Sequence, residues 1–134
     1  MNKKKKIGIT IVLTILIPIV VFFTLYLYHV MVYLKPEPLR IQITNEDTVS
    51  HKVNVKVVYG QKEIYNKTFN LKSKDKVSTG EISKKEGEYK LIVTLDNKII
   101  ETFKAKVGFS YSHVDVFIVN KSGRVKIEIY QIVH

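Results

Sequence analysis

The sequence predicts an all-β domain behind one N-terminal transmembrane α-helix, the domain being an antiparallel β-sandwich of about eight strands. Three observations predict it. Residues 7–34 contain no Asp, Glu, Lys or Arg. Past the prolines at 36 and 38, the apolar positions switch to a period of two, as in half-buried strands. Short Gly, Asn, Asp and Ser clusters separate these alternating runs, where hairpin turns belong.

Composition narrows the alternatives. The chain has 134 residues, 46% hydrophobic and 25% charged, which fits one ordinary domain and neither a disordered nor a collagen-like chain. It has no cysteine, which removes disulfides, thiolate metal sites, cysteine nucleophiles and lipidated cysteines.

Taken in order, residues 1–6 form a basic N-terminus carrying Lys3, Lys4, Lys5 and Lys6. Residues 7–34 form the membrane-spanning segment, a signal anchor: 28 residues at ~1.5 Å each exceed a ~30 Å bilayer core. Pro18 is tolerated within such a helix, and Tyr26, Tyr28 and Tyr33 suit its interfacial end. The apolar run is too long for a cleavable signal, and the chain's one alanine, Ala105, lies far from it. Four lysines precede the segment, whereas Lys35 beside Glu37 follows it. The positive-inside rule therefore predicts a single-pass cell-membrane protein with a cytoplasmic N-terminus and an extracytoplasmic C-terminal domain.

Residues 35–38, Lys-Pro-Glu-Pro, read as a stiff spacer, and 39–134 as the sandwich. The pattern predicts strands at 39–44, 51–59, 62–71, 76–82, 88–95, 98–107, 112–119 and 124–132. Ile99, Glu101, Phe103 and Ala105 share parity, which predicts a bulge near Glu101 to turn the acid outward. Such faces bury each other best as two packed sheets.

Certain residues carry a resemblance. Gly87-x-Tyr89-x-Leu91-x-Val93 resembles the strand entry of immunoglobulin-like and fibronectin-like sandwiches, in which the tyrosine makes a corner hydrogen bond. Together with Asn45, His51-x-Val53-x-Val55, Tyr65-x-x-Thr68-Phe69-x-Leu71, Val114-x-Val116-x-Ile118 and Gly123-x-Val125-x-Ile127, it makes residues 39–134 similar to small extracytoplasmic Ig-like domains of archaeal membrane-anchored proteins. The resemblance implies fold, location and a structural role for Tyr89; it implies no activity. A second resemblance covers only the start. The lysines, Gly8 and the long apolar helix resemble the N-terminus of archaeal pilins and archaellins, which are cut after a glycine behind the basic stretch. Ile7 between Lys6 and Gly8 departs from that pattern. It implies the rival reading of a processed filament subunit.

For chemistry, Ser112-His113-Val114-Asp115 offers a nucleophile, a base and a carboxylate. A strand places His113 and Asp115 on one side and Ser112 on the other, which predicts no catalytic assembly. His51, His113 and His134 lack metal-ligand spacing and read as surface histidines. Glu46, Asp47 and Asp75 sit in connectors without a calcium-loop pattern. The expectation is no enzyme, no metal and no cofactor, a metal-binding or enzymatic sandwich being the remaining alternative.

With the four N-terminal lysines set aside, 18 Lys and Arg face 12 acids, a net +6. Nearly all are lysine, only Arg40 and Arg124 being arginine, which argues against nucleic acid. The expected partners are the lipid bilayer and an envelope protein or acidic cell-surface polymer. Asn66-Lys67-Thr68 and Asn120-Lys121-Ser122 match the N-glycosylation acceptor pattern, with Asn120 expected in a hairpin turn.

Overall fold

The computed structural model describes residues 2–33 and 35–134. The chain falls into two units, Met1–Lys35 and Pro36–His134.

In the first unit, α1 spans Lys3–Tyr33, starting four residues before the apolar run and taking in the lysines. The predicted end of the segment, Leu34, lies outside the described residues. None of the α1 side chains is buried, and an 18-residue window has a mean hydropathy of 2.7. At ~1.5 Å per residue, 31 residues are long enough to cross a bilayer. The hydroxyls of Thr10, Thr14 and Thr24 donate to the carbonyls of Lys6, Thr10 and Val20 at 2.7–2.9 Å. The three threonine hydroxyls of this apolar stretch are thus satisfied within the helix, an arrangement compatible with an apolar solvent.

The second unit holds eight strands: β1 (Ile41–Asn45), β2 (His51–Tyr59), β3 (Lys62–Leu71), β4 (Lys76–Ser78), β5 (Gly87–Leu95), β6 (Ile99–Val107), β7 (Tyr111–Lys121) and β8 (Arg124–Val133). They form two four-stranded sheets, ordered β4-β1-β7-β8 and β3-β2-β5-β6. The predicted sandwich is present, with strand boundaries close to those read from the alternation.

The core is made by the predicted parity. Val53, Val55 and Val57 on β2 stand opposite Leu95, Val93 and Leu91 on β5, all essentially inaccessible to water. Ile41 and Ile43 of β1, with Val114, Val116 and Ile118 of β7, face them from the other sheet. β-branched side chains predominate because they pack well on a pleated surface.

Two-residue turns close two hairpins. Gly60 (φ 63) is the first central residue between Tyr59 and Lys62, and Ser122 and Gly123 (φ 56 and 80) stand between Lys121 and Arg124. These left-handed conformations match the twist of paired strands. Asn120 therefore lies in β7, opposite Val125, and not in the turn itself.

The sheets are antiparallel as expected apart from one pairing: β1 lies parallel to β7, Ile41 opposite Val114 through Asn45 opposite Ile118. Five intervening strands supply the long connection that a parallel pair requires. Three expectations need correction. The fourth strand stops at Ser78 and not at residue 82. Gly80 (φ 73) breaks the ladder, which resumes only where Ile82 N–H donates to Leu39 O and Leu39 N–H to Ser83 O. No bulge occurs at Glu101. The β5–β6 register runs unbroken from Gly87–Val107 to Leu95–Ile99, and Glu101 reaches water because the first half of β6 is uncovered. Register shifts occur instead at Val57/Val58 and Tyr111/Val114. His51, finally, is buried.

Candidate functional site

The most concentrated polar chemistry lies at the end of the sandwich where β1 runs into β2. Asn45, wholly buried, closes this corner: its Nδ2 donates to the carbonyls of Val49, Leu71 and Lys72, and its Oδ1 accepts Asp47 N–H at 3.0 Å. That turn aims the Asp47 carboxylate inward.

His51, 7% exposed, sits between two carboxylates. Its Nε2 is 2.6 Å from Asp47 Oδ2 and its Nδ1 is 2.6 Å from Asp96 Oδ2. The remaining oxygens also have donors. Asp47 Oδ1 accepts Thr48 N–H at 2.7 Å and Asn120 Nδ2 at 3.3 Å, and Asp96 Oδ1 accepts Lys52 N–H at 2.8 Å. With both carboxylates ionised, each ring nitrogen faces an acceptor, the arrangement that favours the imidazolium form.

The titration shifts agree with this geometry. Burial pulls His51 down, but its hydrogen bonds to Asp47 and Asp96 outweigh that and raise it above 6.5. The His51 hydrogen bond lowers Asp47 below 3.8, against the opposing effect of burial. Burial pushes Asp96 up, and the Lys52 N–H and His51 together bring it below 3.8. The cluster joins the β1–β2 loop, the β5–β6 hairpin and the end of β7. It presents no free nucleophile and no open ligand position, so its chemistry is that of a latch.

A second cluster lies at the opposite end, where β7 begins. Ser112 Oγ stands 3.1 Å from His113 Nδ1 and 3.1 Å from Glu37 Oε2, and His113 Nε2 is 3.3 Å from Asp115 Oδ1. Strand parity holds, with Ser112 turned inward and His113 and Asp115 on the other face, yet the tips of Ser112 and His113 still come within 3.1 Å. The arrangement still lacks the features of a nucleophile. Ser112 is buried within a strand rather than raised on a turn, and its hydroxyl donates to the Glu37 carboxylate. Beside it, Glu37, Pro38, Arg40, Gln42 and His113 line a cleft of about 320 Å³.

His51 and His113 occupy opposite ends of the sandwich, since β2 begins beside the Asn45 end of β1 and His113 precedes the partner of Ile41. Among the described residues, no group of three His, Cys, Asp or Glu side chains stands in an arrangement that could hold a metal.

The other predicted residues are scattered. Lys3, Lys4, Lys5 and Lys6 lie exposed in the first turns of α1. Asn66 is exposed on β3, where its Nδ2 donates to Glu63 Oε1 at 2.6 Å. Asn120 is exposed on β7 and leans toward Asp47. Tyr89 is buried on β5; its Oη donates to the carbonyl of Lys85, four residues upstream, and lies 2.8 Å from Ser83 Oγ. Its ring stacks on Tyr59 at 4.7 Å.

Sequence reasoning missed the Asp47–His51–Asp96 latch altogether. The available signal was His51 at the head of an otherwise inward-facing Val53-Val55-Val57 series, a parity that places it inside. Comparison with protein-family models, with curated proteins and with solved structures finds no match for this chain.

Proposed function

We propose that this protein is a single-pass, signal-anchored membrane protein that displays an Ig-like β-sandwich outside the cell, as an interaction module without catalytic activity. One observation carries the reading: a 31-residue helix with no buried side chain precedes a sandwich that closes its own core. A helix apolar on every side needs an apolar solvent, and a sandwich with a complete core does not need the helix in order to fold.

Orientation rests on the four-lysine cluster before the segment. Support for the Ig-like assignment comes from the Tyr89 corner bond and from the β3-β2-β5-β6 order, which corresponds to the C′-C-F-G sheet of variable-type domains. The β7–β8 hairpin departs from that pattern. An envelope protein or acidic polymer as partner is supported by the domain's net +6. Asn66 and Asn120, exposed and on the side proposed to face outward, are candidate glycan acceptors.

Because the chain has no cysteine, a single introduced one reports topology. In intact cells, Val49→Cys should react with a membrane-impermeant maleimide, and Asn2→Cys should react only after permeabilisation. The reverse pattern would overturn the orientation, and protection of neither would overturn the anchor.

A further inference from the structure

We propose that the Glu37 end of the sandwich rests on the bilayer that holds α1, through the exposed apolar side chains of Phe109, Ile132 and Val133. This extends the membrane-anchored reading above and depends on it.

The register gathers these residues at one end. Tyr111 pairs with Val133, and His134 N–H donates to Ser110 O at 2.7 Å, so the Gly108–Ser110 loop lies against the end of β8. Ser112 Oγ meets Glu37 Oε2 at 3.1 Å, which fixes the chain's point of entry at the same end. Phe109 is 67% exposed, Ile132 50% and Val133 63%.

Exposure alone does not name an occupant, for Val49, Ile99 and Ile100 are also exposed, at the far end. The tether decides. Only residues 34–36 separate Tyr33 at the end of α1 from Glu37, and four Cα steps span at most about 14 Å. If α1 crosses the bilayer, the Glu37 end is held within about 14 Å of the end of α1, whereas Val49 lies at the other end of the strands. Apolar side chains held at that depth gain by entering the interfacial layer. The rim suits phosphate headgroups: Arg40 is exposed, and Lys106 Nζ lies 5.5 Å over the Tyr111 ring. Of the acids at this end, Glu37 is engaged by Ser112, Glu81 pairs with Lys84, Glu88 with Lys104 and Asp115 with His113, Glu63 accepts from Asn66, and Glu86 is exposed beside Lys85.

The chain contains no tryptophan, so each introduced indole is the sole emitter of its kind. Full-length Phe109→Trp, Ile100→Trp and Phe22→Trp are reconstituted in vesicles of mixed zwitterionic and anionic phospholipid, with and without bromine at a shallow acyl position. Docking predicts at least a twofold quenching by brominated lipid at position 109, with blue-shifted emission, and none at position 100. Position 109 quenched no more than position 100, while position 22 is quenched, overturns the docking and leaves the anchor standing. Position 22 unquenched overturns both.

Discussion

His51 Nε2 lies 2.6 Å from Asp47 Oδ2 across one buried end of the sandwich, and a second aspartate, Asp96, holds the opposite face of the same ring. An imidazolium held in this way ties three connections together with one charge. Its worth depends on the protonation of all three partners, which makes it testable.

Stability should fall on both sides of a mildly acidic window. His51 is raised in the folded state, so its contribution is complete below about 6.5 and is lost as pH rises through its folded value. Asp47 and Asp96 are lowered, so theirs is complete above about 3.8 and is lost as pH falls through their folded values. Melting temperature measured from pH 3 to 9 should show both limbs. A flat profile above neutrality would remove the imidazolium from the account.

His51→Gln should destabilise the domain by about 2 kcal/mol, since the buried Asp47 and the more exposed, partly screened Asp96 then lose the cation between them. It should also abolish the alkaline limb. Adding Asp96→Asn should recover part of the loss, because the second substitution removes one of the two stranded charges. Urea unfolding of the two variants decides this, and strictly additive losses would contradict the coupling.

Tyr89→Phe keeps the ring against Tyr59 but deletes the hydrogen bonds to Lys85 O and Ser83 Oγ. A loss of about 1–2 kcal/mol is expected, the upper part of the range for a buried hydroxyl with unpaired partners. Tyr89→Leu, which also removes the stacking, should cost more by equilibrium unfolding.

Gly87→Ala should be among the costlier exposed substitutions. Gly87 has φ 140, a conformation that L side chains rarely adopt, and a Cβ there would stand 3.2 Å from the Tyr59 ring. About 1–3 kcal/mol is expected. Gly60→Ala, whose Cβ would meet nothing within 4 Å, should cost less, and equal melting temperatures would refute the steric half of the argument.

Much of the fold is legible in the residues because the signals are local. A run without charges from Ile7 onward dictates a helix apolar all round, and the Val53-Val55-Val57 and Leu91-Val93-Leu95 alternations dictate strands with one buried face. Their turn residues place the strand ends within a residue or two, apart from the strand that Gly80 interrupts.

What the tertiary structure alone decided is non-local. No pattern within Ile41–Asn45 indicates that β1 will lie parallel to β7, because pairing depends on which end of the sandwich each chain segment enters. Nothing near Glu101 reveals that the facing sheet leaves the start of β6 uncovered, so alternation there suggests a bulge that coverage makes unnecessary. Parity turns His51 inward, but only the β5–β6 hairpin and the β1–β2 loop bring it an aspartate each, from 45 and 4 residues away. Period two specifies which side of a strand is apolar; only packing specifies what stands opposite, and the latch and the cleft beside Ser112 are both made of such opposites.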